Sequence, residues 1–157
     1  MAEGEFALVR QHLEAALKLT SLWVGEHELY AMLADVAAQQ RDEAALRQYT
    51  PIAEELAARY DHILYRAIAH RAWGVAHRLA GEYAESETRL TNALALFERL
   101  DTRWQIGRTL FELGELTKAQ RNIDGARDYF QRALNMFTDM HALPDAERTY
   151  TSLESLG

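Results

Sequence analysis

Apolar side chains along this chain recur three and four residues apart, in runs separated by short polar turns. In an α-helix such positions share one face. The clearest run is residues 110–134, LFELGELTKAQRNIDGARDYFQRAL. Leu110, Leu113 and Gly114 lie on one helical face, and Ala126, Phe130, Ala133 and Leu134 lie on another. Between them Arg121, Asn122, Ile123, Asp124 and Gly125 form a polar turn. The pattern predicts a helical hairpin with a small residue on each arm where the two backbones come close. Glycine inside a helix costs about 1 kcal/mol relative to alanine. A recurring one therefore predicts close helix–helix approach.

The hairpin recurs at a spacing of 40 residues. The pair Leu113-Gly114 has counterparts in Leu33-Ala34, Trp73-Gly74 and Leu153-Glu154. Three residues before each pair stand Tyr30, His70, Leu110 and Tyr150, with His70 the weakest match. A small or apolar residue followed four later by a larger one marks each second helix: Val9 and Leu13, Ala45 and Tyr49, Ser86 and Leu90, Ala126 and Phe130. A fixed period between about 20 and 50 residues is the sequence signature of stacked repeats.

These residues resemble the tetratricopeptide repeat. Its spaced pattern is matched by Leu110, Leu113, Gly114, Ala126 and Phe130, and one unit earlier by Trp73, Gly74, Gly81, Tyr83, Ser86, Leu90 and Ala93. His77 and Thr117 occupy the second aromatic slot, and Arg121 stands where an interhelical glycine belongs. The standard period is about 34, so longer second helices are expected, as in repeat arrays attached to large bacterial signalling regulators. HEAT-like arrays are the alternative, and the run from Gly74 to Gly81-Glu82-Tyr83 favours tetratricopeptide. The resemblance implies an all-α right-handed solenoid of antiparallel hairpins with about eight helices. It also implies a non-catalytic protein- or peptide-binding scaffold within a larger bacterial regulator.

The expected organisation is one domain over 1–157. It comprises a half repeat at 4–24, repeats at 26–60, 61–100 and 101–140, and a capping helix at 144–156. The first helix is expected over 5–22, closed by Gly25. Asp42, Asp61 and Asp101-Thr102 are candidate N-caps. Pro51 falls inside the helix at 43–59, where it removes one backbone hydrogen bond and should bend the chain near Arg47. Pro144-Asp145 suits the start of the last helix, with Tyr150 and Leu153 facing inward. Trp23, Trp73 and Trp104 are expected to pack between helices.

Charge and chemistry narrow the function. The 157 residues carry a net charge of −7, and the 17 Lys and Arg form no run. This disfavours nucleic acid, which needs clustered cations to displace counterions. No stretch approaches the 18 apolar residues that span a bilayer, the N-terminus lacks a signal-peptide pattern, and cysteine is absent. The expectation is a cytoplasmic protein without membrane contact. Phosphate loop, zinc-protease and nucleophile-elbow motifs are missing. None of the six histidines pairs at three or four residues, so neither metal nor cofactor is predicted. His70 and His77 read as packing residues. Glu112 and Glu115 share a helix face but show no sign of the apolar pocket that a general acid needs. No enzyme is expected.

The predicted site is the concave groove, lined by the first helix of each hairpin. Helical spacing assigns it Glu28, Ala31 and Asp35, then Arg71, Val75 and Arg78, then Arg108, Phe111, Glu115 and Lys118, and finally Arg148 and Thr151. Arg71, Arg78, Phe111 and Lys118 are expected to be open to solvent and to carry the ligand. Ala31 and Asp35 stand where some relatives clamp a C-terminal carboxylate with Lys and Asn, which disfavours that specificity. An RNA-binding module and a small-ligand sensor are the competing readings. The N-terminal helix bears apolar residues on two faces, Phe6, Val9, Leu13 and Ala16 opposite Leu8, Ala15, Leu19 and Leu22, with Leu17 between. That predicts either a missing preceding helix or a homodimer through Phe6, Val9, Leu13 and Leu17.

Overall fold

The computed structural model describes residues 2–19 and 25–157. The described chain forms eight helices and no strand: α1 (Ala2–Leu19), α2 (Glu26–Gln40), α3 (Glu43–Arg59), α4 (Ile63–Leu79), α5 (Tyr83–Arg99), α6 (Arg103–Ala119), α7 (Ile123–Asp139) and α8 (Leu143–Glu154). From α3 onward each helix begins 20 residues after the last. Helices α3 to α7 all have 17 residues. The extra length is therefore shared by both arms of a hairpin, not confined to the second as expected.

One turn, used six times, sets this spacing. In each turn an amide bonds back five residues: Asp42 to Ala37, His62 to Ala57, Glu82 to His77, Thr102 to Phe97, Asn122 to Thr117 and Ala142 to Phe137, at 2.8–3.2 Å. The residue before each of these amides adopts the left-handed conformation that such a helix ending requires. Only Gly81 takes it without a side-chain penalty. Arg41, Asp61, Asp101, Arg121 and His141 hold it with φ between 50° and 64°.

The capping residues follow from that register. Asp42 accepts the Ala45 amide at 2.9 Å. Asp61 and Asp101 are taken by the left-handed position, so the caps shift one residue. His62 Nδ1 accepts the Tyr65 amide at 3.4 Å. Thr102 makes no side-chain cap, and its hydroxyl instead donates to the Phe97 carbonyl. Helix α3 runs through Pro51 as one element.

Sequential helices pack in antiparallel pairs. In addition α2 packs on α4 and α4 touches α6, while no comparable contact joins α3 to α5 or α5 to α7. The α2, α4, α6 row is therefore the tighter, inner one. Within hairpins, small residues face large ones. A Cβ on Gly74 would lie 2.5 Å from Leu90 Cγ, and one on Gly114 would lie 2.6 Å from Phe130 Cε1. Ala34 and Thr50 stand at the equivalent positions one unit earlier, both fully buried. Thus Gly opposes Leu in one hairpin and Phe in the next, while Ala34 and Thr50 hold these positions in the first. The core is alanine-rich around Leu33, Leu46 and Val75, and phenylalanine-rich around Phe97, Phe130 and Phe137.

Two aromatic assignments change, those of Trp104 and Tyr150. Trp104 is 41% exposed, stacked on the Arg108 guanidinium and donating to Asp145. Trp73 packs between helices as expected, half-buried against the N-terminal core, and donates to Glu54. Tyr150 is 52% exposed. Trp23 lies outside the described residues.

Candidate functional site

The inner faces of α2, α4 and α6 meet one another instead of opening onto solvent. Asp35 on α2 accepts from Arg71 Nη2 on α4 at 2.9 Å and, through both oxygens, from Arg108 on α6 at 2.9 and 3.1 Å. The Arg71 side chain is 1% exposed and that of Arg108 4%. Arg71 also reaches the Gln105 carbonyl and the Thr109 hydroxyl, and lies over the Phe97 ring at 5.0 Å.

A second cluster adjoins the first. Glu112 on α6 accepts from Arg41, in the turn after α2, at 2.6 Å and from Arg78 on α4 at 3.1 Å. Here the left-handed strain at Arg41 places a side chain that pairs 71 residues along the chain.

Titration follows the geometry. Burial alone would raise the carboxyl pKa values of Asp35 and Glu112. The guanidiniums of Arg108 and Arg71 instead hold Asp35 well below the usual carboxylate range, and those of Arg41 and Arg78 hold Glu112 down. Burial, reinforced by the nearby Arg108 charge, pushes Arg71 down to about 10. Glu112 is thus a fixed anion, the opposite of what a general acid requires.

The predicted ligand-facing residues therefore need correction. Arg71, Val75, Arg108 and Phe111 are buried, as is Ala31. The Arg78 side chain is 10% exposed and committed to Glu112. Lys118 is half-buried and donates to Ser155 at 2.8 Å. The physical cause is the close spacing of the inner row, which turns a groove lining into an inter-helix contact. Asp35 belongs to the first cluster, while Glu28 and Thr151 are exposed and Glu115 is half-buried.

The open part of the inner side lies where the first and last helices face each other. Phe6 and Arg10 of α1, Gln39 and Gln40 of α2, Arg41, Asp42 and Arg148 of α8 line a cleft of about 420 Å³. Phe6, Gln39 and Arg148 also line a second hollow of about 480 Å³ that runs along Pro144, Asp145, Glu147 and Thr151. Arg10 is neutralised by Glu14 and Asp42 at 3.0 and 2.6 Å. The Arg148 guanidinium lies 4.4 Å from the Phe111 ring centre. Sequence reasoning named Phe6 and Arg148 but not as neighbours, and missed Arg10, Gln39, Gln40 and Arg41.

Helix α1 packs Leu13 and Leu17 beside Tyr30 against the N-terminal core. Phe6 is half-buried, and Leu8 and Val9 are 54% and 45% exposed. Leu22 lies outside the described residues.

No three His, Asp or Glu side chains among the described residues are placed to hold a metal ion. No helix among them is long and apolar enough to cross a membrane.

Residues 65–139 match the tetratricopeptide repeat family. No curated protein sequence matches the chain.

Proposed function

Because residues 65–139 match the tetratricopeptide repeat family and the whole described chain is built of helical hairpins, we propose that it is a non-catalytic scaffold whose α1–α8 cleft binds an extended segment of another protein. Repeats of this family generally mediate protein–protein interaction, and that role belongs here to a recruiting module of a larger regulatory protein. The observation that supports the reading is the division of the inner surface. Arg71, Arg78 and Arg108 are consumed by Asp35 and Glu112, whereas the paired hollows around Phe6, Gln39 and Arg148 stay open. They combine an aromatic wall with a few polar groups, the mixture that fixes a ligand's orientation. The same division disfavours RNA, since the inner guanidiniums are closed off by protein carboxylates and form no continuous basic track.

The test is selection of peptides from a displayed 12-residue library on the immobilised domain. The footprint of the winners is then mapped by amide chemical-shift changes. The expected footprint covers the start of α1, the end of α2 and the first half of α8. A footprint on the outer helices α3, α5 and α7, or no saturable binder, contradicts the proposal.

A further inference from the structure

We infer that the cleft reads one internal acidic side chain, Glu or Asp, of its protein partner, with Arg148 as the residue that contacts it. The inference rests on the reading of the α1–α8 cleft as a partner site.

Three observations carry it. First, guanidiniums outnumber carboxylates in the buried network centred on Asp35 and Glu112. Arg41, Arg71, Arg78, Arg108 and Arg148 converge on Asp35 and Glu112. Two further carboxylates contribute only at longer range: Asp145, 3.9 Å from Arg148, and Glu115, which acts on Arg41 through space. Within this network five positive charges face four negative ones, whereas Arg10 in the same cleft is already balanced by Glu14 and Asp42.

Second, the surplus falls on Arg148. Every other member of the group hydrogen-bonds a carboxylate. Among the described residues Arg148 donates no hydrogen bond, and its Nε is buried without an acceptor. Its contacts are the Phe111 ring and the distant Asp145. A guanidinium offers five donors in a planar fork that suits a carboxylate. Here the fork is held by stacking and left unfilled at the edge of a cleft. Burial, with the Arg41 and Arg108 charges, pushes its pKa down against the pull of Glu112 and Asp145.

Third, two hollows adjoin at Arg148. Arg148, Phe6 and Gln39 line both hollows, so a chain can run past Arg148 on either side. That selects an acidic side chain within the partner over a chain terminus. Gln40 lines the first hollow, and its Oε1 is buried without a partner. Asp145 and Glu147 line the second hollow, so a second acid on that side is disfavoured.

The test uses the whole 157-residue chain and four nonapeptide pools with random flanks. Three are N-acetylated and C-amidated with Glu, Gln or Lys fixed at the centre. The fourth has central Gln and a free C-terminal carboxylate. Wild-type protein should retain the Glu pool about tenfold better than the amidated Gln pool. Raising the salt should diminish this preference. Arg148→Met should abolish it while leaving the melting temperature unchanged or higher, because the substitution removes an unsatisfied cation and keeps the packing on Phe111. Arg148→Lys should restore part of it. Equal retention of the Glu and Gln pools, or a preference for the free C-terminus, overturns the inference and leaves the scaffold reading intact. A lower melting temperature for Arg148→Met with undiminished acid preference also overturns it. Retention of no pool defeats both.

Discussion

Replacing Asp35 with alanine removes the anion that joins three helices. Its carboxylate accepts four hydrogen bonds, from Arg71, twice from Arg108, and from Gln39 at 3.3 Å. Only 19% of the side chain is exposed. Without it two guanidiniums, 1% and 4% exposed, face each other with no shared counter-charge. Breaking a buried pair this way costs about 3–5 kcal/mol, chiefly because the partner charge stays buried. For a chain of this size each kcal/mol lowers the melting temperature by about 2–4 °C. The expected fall is therefore about 10 °C, measured by circular dichroism with urea titrations for the free energy. Replacing all three residues together, Asp35→Leu with Arg71→Met and Arg108→Met, should recover most of the loss, since apolar packing can match a buried ion cluster. The sign with pH is fixed. Because the Asp35 pKa is depressed on folding, its stabilisation is complete above the unfolded value, about 3.9. It is lost as pH falls toward the folded value. The gap between wild type and Asp35→Asn should therefore narrow below about pH 4. A loss under about 1 kcal/mol for Asp35→Ala, or a gap that widens in acid, would refute the reasoning.

Further outcomes concern packing and turns. Gly114→Ala places a Cβ against the fully buried Phe130 and should cost about 1–3 kcal/mol, read as an earlier urea midpoint. Arg121 is exposed, makes no ion pair among the described residues and sits at φ 64°. Relief of left-handed strain at about 1–2 kcal/mol, less glycine's entropic cost of about 0.5–1 kcal/mol, leaves Arg121→Gly more stable by about 0.5 kcal/mol. Arg41→Gly relieves the same strain but strips Glu112 of a partner, so its melting temperature should fall where that of Arg121→Gly rises.

The fold was legible because its determinants are local. Helical spacing of apolar residues, and the small residues at 34, 74 and 114, repeat every 40 positions and need no knowledge of the third dimension. The turns were harder. Asp61 and Asp101 have the chemistry of N-caps, yet the helix-ending hydrogen bond at each turn claims them for the left-handed position. The site was least legible. Helical spacing assigned Arg71, Arg108 and Phe111 to an open inner groove and gave no measure of how closely the inner helices approach. Asp35 and Arg108 are 73 residues apart and Arg41 and Glu112 are 71 apart. A single sequence gives no means of pairing such charges. Arg41 is one of five non-glycine residues at the left-handed turn position, so nothing local in the sequence distinguishes it from Arg121, which has no such partner among the described residues.

The structure of the domain bound to a peptide retained from the central-Glu pool tests the central claim most directly. The account predicts an extended peptide between α1 and α8, with its carboxylate within hydrogen-bonding distance of the Arg148 guanidinium and the Asp35 and Glu112 clusters undisturbed. A peptide seated on the outer helices, or one that binds by displacing Asp35 from Arg71 and Arg108, would contradict it.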